Sequence, residues 1–115
     1  MSGNSERLRN GKAAALARLA HADADARRAG RDARQLAPNI GELRAVGAGE
    51  KDLRWLMRRR YATALTELTR RGDKARTFRE PAGRAFSENT CFVLTYAGRL
   101  FARSRRLNGT ASPAA

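Results

Sequence analysis

Glu50-Lys51-Asp52-Leu53-Arg54-Trp55-Leu56-Met57-Arg58-Arg59-Arg60-Tyr61 is the stretch on which the reading of this chain turns. Leu53, Leu56 and Met57 recur at i, i+3 and i+4, and Tyr61 extends the stripe, which is the spacing of one buried helical face. Lys51, Arg54 and Arg58 fall towards another side, so the same helix carries a basic face. Trp55 and Arg59 form an i, i+4 pair in which the guanidinium can lie on the indole. Glu50 and Asp52 occupy the leading turn, where they suit the positive end of the helix dipole and would repel a phosphate.

Towards the N-terminus, Val46-Gly47-Ala48-Gly49 turns the chain, with two glycines in three residues. A short helix precedes it, expected to start at Pro38 and to show Ile40, Leu43 and Val46 on its apolar side. Arg31 to Ala37 reads either as a short helix or as a turn. Lys12 to Ala29 is Ala-rich, with Leu16, Leu19, Ala20 and Ala26 on one face, and Gly30 is placed to stop this first helix. Asp23 and Asp25 face different directions on it. Arg27 follows Asp23 by four residues, which reads as a solvated ion pair.

Towards the C-terminus, Thr63 to Thr69 reads as a strand with Leu65 and Thr69 on one side. Leu68 breaks the alternation. Arg71-Gly72-Asp73-Lys74 is a turn signal, Ala75 to Phe78 a short return strand, and Glu80-Pro81-Ala82-Gly83 a loop. Cys91-Phe92-Val93-Leu94 is the clearest strand. Thr95 is placed to cap a last helix from Tyr96, with Ala97, Leu100 and Phe101 as its apolar positions. The expected organisation is a flexible N-terminus at 1–11, one domain over 12–106 and a disordered tail over 107–115.

The chain has 115 residues, 42% of them apolar, and a formal net charge of +13. That suits one small domain and a polyanionic partner. Lysine occurs three times, so the charge is almost wholly arginine. GC-rich coding would produce the same bias, so the excess of arginine over lysine is not itself a signal. One cysteine, Cys91, forbids an internal disulfide, and one histidine, His21, leaves no metal-ligand spacing. No catalytic signature surrounds His21, and neither enzyme activity nor a cofactor is expected. The first residues lack a signal-peptide pattern and no apolar run approaches a membrane span, so a cytoplasmic protein without a membrane or metal partner is expected.

The order helix, helix, turn, helix, basic hairpin, strand, helix is that of winged helix-turn-helix proteins, an α+β fold with three helices, a β-hairpin wing and a C-terminal helix. Cys91-Phe92-Val93-Leu94-Thr95-Tyr96-Ala97-Gly98-Arg99-Leu100-Phe101-Ala102 resembles the ending that follows the wing in MarR-like and PadR-like bacterial regulators. Leu53 to Ala62 resembles the segment where their recognition helix meets the first wing strand. The chain is also similar to small uncharacterised bacterial proteins with an LRWL…GY…CFVLT…AG pattern. Two features depart from the regulators: Arg60 stands where they usually carry a glycine, and Gly72 to Asn89 is long for a wing.

The resemblance implies duplex DNA binding, with the third helix in a major groove about 12 Å wide. Lys51 and Arg54 would approach bases or phosphates and Arg58 the backbone. Arg70, Arg71, Lys74 and Arg76 would reach phosphates from the wing. A transcriptional regulator is the implied role. The regulators dimerise through added terminal helices. The first and last helices here are candidates for that, and equally for completing a monomer core. Two other readings use the same charge: an RNA- or ribosome-associated protein, and a scaffold for an acidic protein partner. For the former, Tyr61, Phe78, Phe86 and Phe92 make no recognisable single-strand motif.

Overall fold

The computed structural model describes residues 10–80 and 85–111, with side chains described from 11 to 105 within them. Of the N-terminus expected to be flexible over 1–11, Asn10 and Gly11 are helical, and the rest, with the loop residues Pro81 to Gly83 and the tail from Ser112, lies outside the described residues. Among the described residues the architecture is α+β, with four α-helices and a three-stranded antiparallel sheet. The elements are α1 (Asn10–Arg28), a 3-10 turn (Ala33–Leu36), α2 (Ile40–Ala45), α3 (Glu50–Arg58), β1 (Ala62–Glu67), β2 (Phe78–Arg79), β3 (Thr90–Leu94) and α4 (Tyr96–Ala111). The backbone of α4 thus runs on into the stretch read from sequence as tail.

Three helices end in the same way. The amide of Arg31 donates to the carbonyl of Ala26, that of Ala48 to Leu43, and that of Tyr61 to Leu56. This is the Schellman closure, in which the residue after the C-cap takes a left-handed backbone. Gly30 and Gly47 fill that place for α1 and α2, at φ 69° and 100°, and Arg60 fills it for α3 at φ 62°. The helix therefore stops at Arg58, and glycine's usual position holds an arginine.

The start of α2 corrects the sequence expectation. Asn39, not Pro38, sets it: the Asn39 side chain accepts from the Glu42 amide while the Glu42 carboxylate accepts from the Asn39 amide. This reciprocal capping box outweighs proline's preference for a first turn. Pro38 instead sits in extended chain, where its carbonyl accepts from Phe92 and Asn39 bridges to Cys91. Val46, expected on the apolar side, is the C-cap and is exposed.

β1 is the central strand, with β2 on one side and β3 on the other. Its register with β3 runs from Ala62 opposite Leu94 to Thr66 opposite Thr90. Ala62, Ala64, Phe92 and Leu94 point into one core with Leu16 and Leu19 of α1, Ile40 and Leu43 of α2, and Leu53 and Leu56 of α3. Small alanines on β1 admit the large Phe92. Leu65 and its partner Cys91 are buried too, although they alternate with this set. Both faces of the sheet are therefore covered, and burial at successive residues follows. Beyond Glu67 the ladder loosens. Leu68 turns out to solvent while its amide donates to Thr77, so the strand is Ala62–Glu67 rather than 63–69 and the return strand is Phe78–Arg79.

α4 also uses another face than its apolar residues suggest. Ala97 and Leu100 are exposed, whereas Gly98 is buried and Phe101 and Ala102 are partly buried. The cause is a close approach at the helix start. The Tyr61 carbonyl accepts from the Thr95 amide, and the Thr95 hydroxyl donates to the Arg60 carbonyl at 2.6 Å. A Cβ on Gly98 would lie 2.0 Å from the Tyr61 carbonyl oxygen. Thr95 does cap the helix, accepting from the Gly98 amide at 2.9 Å.

Candidate nucleic-acid interface

α3 is held by its apolar stripe and leaves a basic surface outside. Leu53 and Leu56 are fully buried and Met57 is half-buried. Lys51 and Arg58 are exposed, and neither makes an ion pair among the described residues. Arg54 is different: its Nε lies 2.8 Å from the Glu50 carboxylate and its guanidinium stacks on Phe86 at 4.2 Å. Its charge is already matched one turn back.

The acidic leading turn is accounted for in the same way. Asp52 accepts from the Gly49 amide at 2.8 Å, closing the N-terminus of α3, and lies 3.8 Å from Lys12 Nζ of α1. Neither acid is therefore an uncompensated negative charge.

At the other end of α3 stand two cations outside the nucleic-acid set named from sequence, although spacing did place Arg59 on the Trp55 indole. Arg59 and Arg60 are exposed, with Arg59 lying over the Trp55 ring at 5.0 Å. Arg60 was legible only as a missing glycine. Its left-handed backbone turns a basic side chain outward at a point where the chain changes direction. Trp55 itself is half-buried, as is Tyr61, whose ring stacks on Phe101 at 4.2 Å. With Lys12 over Trp55 and Arg105 over Phe101, this makes an aromatic strip edged by cations.

The loop after β1 separates into two parts. Arg70, Arg71 and Lys74 are exposed at the turn, which is closed by the Asp73 carboxylate accepting from the Arg70 amide. Arg76, expected among the phosphate contacts, turns inward instead. Its Nε and Nη2 donate to the two oxygens of Glu67 at 2.9 and 2.8 Å, and its Nη1 donates to the Gln35 carbonyl. Gln35 also bonds the Arg76 backbone in both directions. Arg76 thus pins this loop to the 3-10 turn, and its guanidinium is already engaged by Glu67 and Gln35. β1, six residues long, sets the exposed loop cations about 20 Å from the C-terminal end of α3.

The ion pair fixes charge states around it. Hydrogen bonds from Arg76 bring the Glu67 carboxyl down from an ordinary 4.5 to about 2. Burial pushes the adjacent Cys91 thiol up to about 11, so it stays protonated and unreactive at neutral pH. His21 lies on an exposed side of α1, 3.4 Å from Asp25. Among the described residues no group of three or more His, Cys, Asp or Glu could hold a metal ion, and no helix is long and apolar enough to cross a membrane. The chain matches no protein-family model, no curated protein and no solved structure.

Proposed function

We propose that this is a winged-helix DNA-binding protein that acts as a transcriptional regulator. α2, the Gly47–Gly49 turn and α3 form the helix-turn-helix, and the loop between β1 and β3 is the wing. The observation that carries the reading is a set of seven exposed cations, Lys51, Arg58, Arg59 and Arg60 at α3 and Arg70, Arg71 and Lys74 at the wing, none ion-paired among the described residues. On a duplex, α3 lies along the major groove and the wing cations follow the phosphate backbone. Because Arg54 is matched by Glu50, the contacts are mainly to backbone phosphates.

The test is fluorescence anisotropy of a labelled duplex between 50 and 200 mM salt. Each neutralised phosphate contributes about −0.9 to the log–log salt slope, so seven contacts give a slope of about −6. A flat salt response, or no binding at 50 mM salt, refutes the reading. The Lys51→Ala/Arg58→Ala double variant should lower the slope by about two units.

A second reading is supported by the strip Trp55, Tyr61 and Phe101 with its bordering Lys12, Arg59 and Arg105. Aromatic faces beside guanidiniums suit unpaired bases. Competition of structured RNA against duplex DNA decides between them: RNA displacing duplex at equimolar concentration would favour the strip.

A further inference from the structure

α1 begins against the leading turn of α3. Its backbone is helical from Asn10. A Cβ on Gly11 would overlap the Asp52 carboxylate, which closes α3 by accepting from the Gly49 amide. Glycine at position 11 admits this approach. Lys12 then ties the two helices together, with its Nζ 3.8 Å from Asp52 Oδ1 and 5.6 Å from the centroid of the Trp55 ring. The chain therefore enters its first helix beside Glu50, Lys51 and Asp52. Arg58 stands at the opposite end of α3, about 12 Å away along the helix axis.

The leading end of α3 is poor in unmatched cations. Asp52 is engaged by Gly49 and Lys12, Glu50 by Arg54, and Lys51 alone makes no ion pair there among the described residues. The sequence leading into Asn10 is Glu6-Arg7-Leu8-Arg9. Arg9 adjoins α1 and Arg7 precedes Asn10 by three positions, so a backbone span of at most about 10 Å separates either from the helix start. We infer that the segment ending at Arg9 is a basic arm of the duplex interface, with Arg7 and Arg9 on the phosphates that flank the leading turn of α3. The inference rests on the duplex reading above and adds contacts at the end of the helix that lacks them. Phosphates are held by charge rather than by a pocket, and release of condensed counterions drives their binding. Attachment to a domain already on the duplex makes each arm contact intramolecular, which strengthens contacts that are weak alone. Glu6 opposes the two guanidiniums but leaves the stretch Glu6 to Arg9 net positive.

Anisotropy of a labelled duplex with the full chain, between 50 and 200 mM salt, tests this. Two arm contacts at about −0.9 each take the expected log–log slope from about −6 to about −8. Arg7→Ala/Arg9→Ala should therefore lower the slope by about two units, so that its affinity falls about tenfold less than that of the wild type across this salt range. Its Tm should equal that of the wild type. Arg7→Lys/Arg9→Lys should keep the wild-type slope, because a phosphate contact needs the charge and not the guanidinium fork. Arg28→Ala/Arg31→Ala is the control: it removes the same formal charge at the far end of α1, about 27 Å from Asn10, and should leave the slope unchanged. The arm is overturned if Arg7→Ala/Arg9→Ala keeps the wild-type slope, if the lysine variant loses it, or if the control lowers it equally. A wild type that does not bind duplex at 50 mM salt overturns the winged-helix reading and the arm together, whereas a wild type that binds steeply beside an alanine variant of equal slope overturns the arm alone.

Discussion

Replacing Arg60 by glycine should stabilise the domain. Arg60 closes α3 at φ 62°, in the backbone region where Gly30 and Gly47 close the other two helices. A side chain there costs about 1–2 kcal/mol, because Cβ crowds the following carbonyl. Glycine removes that cost but gains about 0.5–1 kcal/mol of freedom in the unfolded chain. The net gain is about 0.5–1 kcal/mol, or a rise in Tm of about 2–8 °C for a domain of this size. Thr95 holds the Arg60 carbonyl and Tyr61 bonds back to Leu56, so the conformation persists in the variant.

Arg60→Ala is the control, since it removes the same charge and keeps the strain. Gly47→Ala is the mirror case: nothing lies within 4 Å of the added Cβ, so only the backbone term acts, and its Tm should fall by a similar amount. The assay is thermal unfolding followed by far-ultraviolet circular dichroism. Arg60→Gly melting no higher than Arg60→Ala would refute the reasoning. Both Arg60 variants should lose duplex affinity alike, with the salt slope reduced by about one unit. If so, the strain at Arg60 accompanies a functional side chain, a trade often found where activity needs an unfavourable backbone.

Other substitutions test the remaining supports. The Glu67 carboxyl is lowered to about 2 by Arg76, so its contribution is complete above an ordinary 4.5 and is lost as pH falls towards 2. The wild type should lose up to about 3 kcal/mol across that window, and Glu67→Gln, less stable at neutral pH, should show a flatter profile in urea unfolding. Arg76→Ala leaves Glu67 partly buried and unmatched. It should cost about 1–3 kcal/mol, yet once refolding is verified its salt slope on duplex DNA should equal that of the wild type; a reduced slope would return Arg76 to the phosphate contacts. Gly98→Ala forces a Cβ against the Tyr61 carbonyl and should cost at least about 2 kcal/mol, read as a fall in Tm; an unchanged Tm would show that the junction yields.

What was legible in the sequence was local. Leu53 and Leu56 announced α3 by spacing, and Thr95 announced its cap by chemistry and position. Both signals act over four residues and need no distant partner. Where the outcome depended on chain far away, the sequence was silent. Arg76 looks like Arg70 or Arg71 until Glu67 and Gln35 are brought beside it. Asp23 looks solvated because its own helix supplies only Arg27, yet it is 6% exposed, and that burial comes from the packing of distant chain and Arg99. The face of α4 was misread for the same reason, because a glycine contact with the Tyr61 backbone, rather than apolar content, fixes its rotation.

On the proposed reading, the acids of α3 bear on how the helix engages a duplex. Two carboxylates in a leading turn seem to bar that turn from phosphates, yet Asp52 is occupied by the Gly49 amide and Lys12, and Glu50 by Arg54. The first half of the helix is close to neutral, since Lys51 alone makes no ion pair there among the described residues. The unmatched charge gathers at the other end, in Arg58, Arg59 and Arg60. These also offset the negative pole of the helix dipole, so an anion meets guanidiniums rather than carbonyls. A helix that presents charge mostly at its last turn contacts phosphates more than base edges. Discrimination between duplex sequences should therefore be small, under about tenfold, whereas each well-made base contact is worth about 1–3 kcal/mol in a base-reading helix. Anisotropy titrations against a randomised duplex pool supply the measurement. Enrichment of one motif by a hundredfold or more would show that Lys51 and Arg54 read bases after all, with Arg54 leaving Glu50 to do so.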